Sequence, residues 1–500
     1  MATLAELLRD LAPVDPAWAD LEVAAVQDDS RRVGPGTLFV AIEGLTVDGH
    51  EYAAAAVEQG AVAVVARRPL PGLRAPCVVV DEPARVLALC AARLAGEPAS
   101  SMELIGITGT NGKTTTTYVM EAILAAAGRR PGVIGTVAYR FAGGEEKAPF
   151  TTPTPLVLQD VLRRMRDASC SHVLMEVSSH ALQLGRVWGL DFGVAAFTHL
   201  TQDHLDLHGS MEAYLAAKLL LFSRHLRRSG TAVVNVDGDG AAAVLRAVAA
   251  RPSLRLLRCS SRGAAAEVSL SGVVHGMEGL RARLRVGGVE VELRSPLIGA
   301  YNADNILLAA ACCHAAGVDL DAVVRGVSSL RGVPGRLERV TEPDDPFAVL
   351  VDYAHTPDAL ERAMEALRPL CPGRLVVVFG CGGDRDRTKR PLMGGAVARI
   401  ADLSVVTSDN PRTEEPLSII EAILGGVQAE GIERLEGLDA ARGYLVEPDR
   451  RAAIGMAVAA ARPGDIVLIA GKGHEDYQIL GTNRIHFDDR EEAREALSRR

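Results

Sequence analysis

Short apolar runs rich in β-branched residues alternate along this chain with longer Ala- and Leu-rich segments. The runs include Ala61-Val65, Cys77-Val80, Leu104-Ile107, Val173-Val177, Thr231-Val236, Ala348-Val351, Leu375-Phe379, Leu403-Val406 and Asp465-Ile469. Each is bounded by Gly, Pro or polar residues, the pattern of a strand buried on both faces. Between them, stretches such as Thr114-Ala127, Pro391-Ala401 and Arg451-Ala461 read as helices. This alternation leads to parallel sheets joined by crossover helices, so the fold class expected is α/β. Polar clusters directly follow the strands: Thr108-Thr115, Ser178-His180, Asp352-His355, Gly380-Arg390, Ser408-Arg412 and Gly471-Glu475. Open α/β sheets bind ligands beyond the carboxyl ends of their strands, which is where these clusters fall.

A chain of 500 residues exceeds one core, and about three domains are expected. Gly96-Glu-Pro-Ala-Ser-Ser101 and Arg331-Gly-Val-Pro-Gly335 read as linkers, giving domains 1–100, 101–331 and 332–500. The Gly-rich segment Arg262-Pro296 reads as an antiparallel edge. Arg490-Arg500 reads as a solvated, charged helix end, and Lys389-Arg390 as a solvated charge pair. The net charge of -9 disfavours a nucleic-acid partner. Eight scattered Cys without a C-x-x-C pair read as buried thiols in a reducing compartment. No basic region followed by an apolar run opens the chain, and no apolar stretch is long enough to span a bilayer. A cytoplasmic location is therefore expected.

Gly106-Ile-Thr-Gly109-Thr110-Asn111-Gly112-Lys113-Thr114-Thr115 sits between a strand and a helix, the context of a phosphate-binding loop. Glycines let backbone N–H groups curl around phosphate oxygens, and the helix N-terminus adds partial positive charge. Lys113 would neutralise the β- and γ-phosphates, and the Thr114 hydroxyl would reach Mg²⁺. The spacing departs from the standard loop: its first glycine would fall at Ile107, whereas the glycines here are Gly106 and Gly109. The loop alone defines a nucleoside triphosphatase and leaves the acceptor open.

The variant Gly-Thr-Asn-Gly-Lys-Thr-Thr resembles the ATP loop of the Mur ligase family, shared with folylpolyglutamate synthases. Further resemblances follow in order over nearly the whole chain. Asp29-Ser30-Arg31 with Pro35-Gly-Thr-Leu-Phe-Val-Ala41 is similar to the family's uridine-binding N-terminal domain, and Thr151-Thr152-Pro153 to the segment holding the sugar-peptide. Met175-Glu176-Val-Ser178-Ser-His180 with Arg186, and Asp203-His204-Leu-Asp-Leu-His-Gly209, resemble the central catalytic stretches. Lys218 falls at the family's carbamylated lysine. Asn302, Asn305, Gly335-Arg336 and Asp352-Tyr-Ala-His-Thr-Pro357 resemble nucleotide-contacting stretches. Gly382-Gly-Asp-Arg385, Asp409-Asn410-Pro411-Arg412 and Gly471-Lys-Gly-His-Glu475 resemble the amino-acid pocket. Where some members place a Gln two residues before the Arg matching Arg186, this chain has Leu184, with Gln183 beside it, so no Gln contact is assigned.

The resemblance implies three α/β domains: a uridine-binding N-terminal domain, a central P-loop-type domain with a mostly parallel sheet, and a Rossmann-like C-terminal domain. It also implies a monomer and an acyl-phosphate mechanism with ATP as co-substrate. Within the family, Asp-Asn-Pro-Arg marks the subgroup adding meso-diaminopimelate to UDP-N-acetylmuramoyl-L-alanyl-D-glutamate. Glu176 and His204 are implied Mg²⁺-site residues with Thr114 and a carbamylated Lys218. Arg412 would hold the far carboxylate of diaminopimelate in two parallel hydrogen bonds. Arg385 would grip the other carboxylate and Glu475 the distal ammonium. The competing readings are an L-lysine-adding ligase, a folylpolyglutamate synthase-like ligase, a P-loop ATPase used as a switch or motor, and a binding protein that has lost catalysis.

Overall fold

The structure is a computed structural model describing residues 2–44 and 47–500, with Asp206 described in its backbone alone. Three large sheets succeed one another along the chain, with two small two-stranded ones beside them. The first holds four parallel strands in sequence order, Ala25–Gln27, Thr37–Val40, Ala61–Ala66 and Cys77–Val79. Leu4, Leu7 and Leu8 of the helix Leu4–Leu8 pack with Val86, Leu87 and Cys90 of the helix Pro83–Leu94 against it. Thr3 and Glu6 form a capping box that starts the first of these helices.

The second sheet has eleven strands. Its parallel centre runs Pro131–Ile134, His172–Glu176, Glu103–Thr108, Phe192–Phe197, Leu226–Asn235 and Arg255–Ser260 in spatial order. Every residue of His172–Glu176 and Phe192–Phe197 is buried, because helices cover both faces. Lys113–Ala126, Asn302–Ala315 and Leu320–Ser329 cover one face, and Pro155–Asp167 and Met211–Leu220 the other. Antiparallel strands close both edges. The expected edge at Arg262-Pro296 is the antiparallel set Val268–Gly276, Gly279–Val286 and Val289–Ser295. Burial alternates along Gly279–Val286, as a sheet with one wet face requires.

The third sheet is ordered Glu338–Arg339, Ala348–Asp352, Ile466–Ala470, Leu375–Phe379, Leu403–Val406 and Gly443–Val446, parallel except at the first edge. Pro357–Leu367, Lys389–Ile400 and Pro416–Ala429 pack on one face, and Arg450–Ala460 and Asp489–Ser498 on the other.

Two expectations of solvated charge are overturned here. The last helix is docked: Ala493 is fully buried, and Arg500 stacks on Phe347. At its start, Asp489 forms an ion pair with Arg450 in which neither side chain is exposed. Arg390 is also buried, paired with Glu414 at 2.8 Å, and the Lys389 ammonium donates to the His355 carbonyl at 3.0 Å. Sequence reading missed both because a charged side chain on a helix shows its partner only after the chain folds. All eight cysteines are free thiols; seven are buried, as expected, and Cys77 is half-buried. Among the described residues no helix is long and apolar enough to cross a membrane.

Candidate active site

The strand Glu103–Thr108 and the helix Lys113–Ala126 are joined by the glycine loop. Gly109 (φ +145°) and Gly112 (φ +87°) adopt backbone conformations that side chains resist. A Cβ on Gly109 would lie 1.8 Å from Thr198 Oγ1, and one on Gly112 would lie 2.3 Å from Asn305 Oδ1. Both glycines are therefore required by close approach as well as by φ. Asn305 is held in place by donating to Asn302 Oδ1 at 2.8 Å. Thr110 Oγ1 meets the Tyr214 hydroxyl at 3.3 Å, and Thr115 is buried in the first helical turn.

Lys113 folds back on its loop, donating to the carbonyls of Gly109 at 3.0 Å and Thr110 at 2.7 Å. Burial pushes its ammonium down from the ordinary lysine range, and Glu176 and Asp203 oppose that. Lys218 is almost fully buried and donates to the same Gly109 carbonyl at 2.8 Å, with its nitrogen 4.1 Å from the Tyr214 ring centre. Burial, then the neighbouring Lys113, lower its proton affinity far below an ordinary lysine's. Glu176 closes the strand His172–Glu176 and accepts from Thr114 Oγ1 at 3.0 Å. It also accepts from the amide and hydroxyl of Thr136, both at 3.0 Å.

His204 stands in the left-handed region (φ +54°), with its ring 4.7 Å from that of His180 and 6.1 Å from that of Tyr214. Its Nε2 lies 3.4 Å from the Asp203 carboxylate. Burial works to raise the Asp203 pKa, but His204, His355, the His204 amide and Lys113 together hold it below the usual range.

The third domain touches this loop directly. Arg336 Nη2 lies 3.4 Å from Thr114 Oγ1, and Asn111 Nδ2 donates to Asp358 Oδ2 at 3.1 Å. Asp352 accepts from the Leu337 amide at 2.7 Å and the Ala354 amide at 2.8 Å, tying down the residue next to Arg336.

Thr152, Ser178 and Arg186 form a second group. Thr152 Oγ1 donates to the Glu176 carbonyl at 2.7 Å and accepts from the Ser178 amide at 3.0 Å. Arg186 donates to the Thr152 carbonyl at 2.9 Å, and Thr151 Oγ1 meets Thr136 Oγ1 at 3.1 Å. Ser178 caps the helix Ser179–Gln183. Ser30 lies apart, on the turn Ser30–Arg32 of the first domain, whose Asp29 cap is paired with Arg31.

The third group is built on two loops. Asn410 Nδ2 donates to Glu475 Oε2 at 2.9 Å, and Arg412 Nη1 donates to the Gly383 carbonyl at 2.7 Å. Arg412 also has a left-handed backbone (φ +53°). A Cβ on Gly471 would lie 2.5 Å from the Asp409 carboxylate, so the two loops meet there.

A cavity of about 1290 Å³ lies between the second and third domains, lined by Thr151, His204, Arg385, Asp409, Arg412 and Glu475 among others. Lys113, Thr114, Glu176 and Lys218 are not among its lining residues. Asp203 and His204 do line it, and Asp203 acts electrostatically on Lys113. Sequence reading missed Thr136, Asp358 and Lys472. Thr136 and Asp358 belong to no recognisable motif, whereas Lys472 stands inside one that had been singled out.

The family described as "Mur ligase family, catalytic domain" matches residues 22–93, the "Mur ligase middle domain" matches 107–313, and the "Mur ligase, glutamate ligase domain" matches 335–473. Fold and site thus define an ATP-using ligase of modular α/β build, and the chain belongs to the Mur ligase family. A relative from Synechococcus elongatus named UDP-N-acetylmuramoyl-L-alanyl-D-glutamate--2,6-diaminopimelate ligase is 46% identical over 97% of this chain and 96% of its own. One of the same name from Geobacillus thermodenitrificans is 44% identical over 96% of each. A solved structure of a ligase with that name superposes with a TM-score of 0.73 at 32% identity, over 100% of this chain and 99% of that one. A folylpolyglutamate synthase from Mycobacterium tuberculosis shares the fold, with a TM-score of 0.61 at 21% identity over 76% of this chain and 91% of its own.

Proposed function

We propose that this chain joins meso-diaminopimelate to the D-glutamate γ-carboxylate of UDP-N-acetylmuramoyl-L-alanyl-D-glutamate, using ATP, in peptidoglycan precursor synthesis. The observation that carries this reading is one cavity lined both by Asp203 and His204 of the central domain and by Arg412 and Glu475 of the third. The curated relatives' shared name supports the same substrates.

A carboxylate resists attack by an amine because oxide is a poor leaving group. Transfer of the γ-phosphoryl group from ATP to the carboxylate makes an acyl phosphate and ADP. The neutral amine of the acceptor then attacks the acyl carbon, and phosphate leaves. The first step brings two anions together, so it depends on positioning and on neutralising charge. The backbone of Gly109, Thr110, Asn111 and Gly112 cradles the phosphates, with Lys113 swinging from its loop carbonyls onto them. Thr114, Thr115, Asn305, Arg336 and Asp352 complete the ATP site. Ser30, Thr151, Thr152, Ser178 and Arg186 hold the nucleotide-sugar dipeptide.

The donor set at the loop suits Mg²⁺: the Thr114 hydroxyl and the Glu176 carboxylate are 3.0 Å apart, both hard oxygens. These two, with His204 and a carbamylated Lys218 in supporting places, would hold the ion, which supplies positive charge between the phosphate oxygens. Burial and the neighbouring Lys113 lower the proton affinity of Lys218, which favours the neutral amine, the form that captures CO₂ and releases a proton. In the acceptor pocket, Arg412 and Arg385 receive the carboxylates and Glu475 the distal ammonium, on a frame of Asp409, Asn410, Pro411 and Gly471. The domains run 1–100, 101–331 and 332–500, and the protein acts as a cytoplasmic monomer.

The test is ADP release from purified protein with each substrate omitted in turn. Release that requires both the nucleotide-sugar dipeptide and diaminopimelate supports the reading. Equal release with neither present sinks it in favour of a simple ATPase.

A further inference from the structure

Behind the acceptor pocket stands a cation that no step above uses. Lys472 is 0% exposed, on the loop that follows the strand Ile466–Ala470. Its ammonium donates to Glu475 Oε2 at 3.2 Å and lies 3.4 Å from Asn410 Oδ1, with the Tyr477 ring centre 5.2 Å away. Glu475 lines the cavity, whereas Lys472 is not among the lining residues. Asn410 Nδ2 donates to the same oxygen, Oε2, at 2.9 Å. Two protein donors thus converge on one oxygen of a carboxylate that has about four acceptor sites, which leaves capacity for a ligand cation.

An apolar side chain of similar length would fill this space without the desolvation cost of an ammonium. A lysine here makes physical sense through what it does to Glu475. We propose that Lys472 is a positioning residue for the acceptor, a buried counter-charge that keeps Glu475 ionised and oriented toward the distal ammonium of the incoming amino acid. This rests on the acceptor pocket described above.

The surroundings of Glu475 agree. Burial pushes its carboxyl toward the protonated form and Asp409 adds to it, while Lys472 first and the Asn410 hydrogen bond after it oppose this. Tyr353, Tyr477 and Arg450 are also electrostatically coupled to Glu475. With Lys472 removed, the Asn410 hydrogen bond and Arg450 remain, but the largest opposing charge is gone and the balance moves toward neutral Glu475, which attracts an ammonium weakly. The penalty is then greatest at low pH and eases as pH rises.

The experiment compares wild type, Lys472→Met, Glu475→Gln and the double variant by steady-state kinetics across pH. Lys472→Met is expected to raise the acceptor KM at least ~10-fold at neutral pH while leaving the KM for ATP unmoved. Adding it to Glu475→Gln is expected to change little. An unchanged acceptor KM, or single effects that multiply in the double variant, would overturn the proposal. Lys472→Gln, which retains a donor without the charge, is expected to behave like Lys472→Met; full activity there would also overturn it. If the wild type adds L-lysine instead, the diaminopimelate assignment fails alone. Lysine carries the same distal ammonium, so the comparison run with it still judges Lys472. A substrate-free reading comes from ¹³C-carboxyl NMR titration, with Glu475→Gln assigning the resonance. Glu475 titrating at higher pH in Lys472→Met is expected, and an unmoved titration contradicts the proposal.

Discussion

Lys113 and Lys218 donate to the same backbone oxygen, the Gly109 carbonyl, at 3.0 and 2.8 Å. Two ammonium groups on one acceptor repel each other, and the more deeply buried one, Lys218, gives up its proton more readily. Such an amine can add CO₂, turning a repelling cation into an anion beside the phosphate site. Turnover is expected to fall in CO₂-free buffer and to return with bicarbonate. Lys218→Ala is expected to lose ~100-fold or more in kcat, the scale of removing one charge-stabilising group. Activity indifferent to CO₂, with no added mass on Lys218 by mass spectrometry, would contradict this.

Gly109 leaves no room for a side chain, since Thr198 Oγ1 occupies the place of its Cβ. Gly109→Ala is therefore expected to weaken ATP binding by about 2–3 kcal/mol, roughly 100-fold, through backbone strain and the displaced strand end. Isothermal titration with ATP on a variant of unchanged melting temperature measures it. Wild-type affinity would show that the loop is looser than the structure indicates.

Arg450 is fully buried and donates to the Ala470 carbonyl at 2.9 Å as well as pairing with Asp489. Removing one partner leaves an uncompensated buried charge, so Asp489→Ala is expected to cost about 3–5 kcal/mol of stability. Urea unfolding of the third-domain transition reads this. A loss below about 1 kcal/mol, the level of a surface pair, would mean that the last helix is dispensable.

The alternation of apolar runs with helical segments placed most of the strands carrying the site, because a strand buried on both faces is mostly apolar; Phe192–Phe197, which leads toward Asp203 and His204, was not among the runs named. Glu103–Thr108, His172–Glu176 and Ile466–Ala470 lie within a residue or two of where their β-branched runs suggested. The glycine loop was legible for a similar reason, since Gly109 and Gly112 have no substitute. Partnerships across long chain distances were not legible. Nothing local to Asp489 indicates Arg450, and nothing local to Asp358 indicates Asn111. Lys389 and Arg390 looked solvated because their partners, the His355 carbonyl and Glu414, arrive from other elements.

The central claim is that the pocket around Arg412 and Glu475 reads the far end of diaminopimelate. L-lysine has the distal ammonium and lacks the second carboxylate. Arg412 is half-buried on the cavity wall, and losing the charge-assisted pair its guanidinium would make with a carboxylate costs a few kcal/mol, so the wild type should favour diaminopimelate over lysine in kcat/KM by ~100-fold or more. Arg412→Ala should erase most of that preference by weakening diaminopimelate alone. The decisive measurement is kcat/KM for both amino acids on both proteins. A large preference that collapses in Arg412→Ala is the predicted result, and equal use of lysine by the wild type would contradict the account.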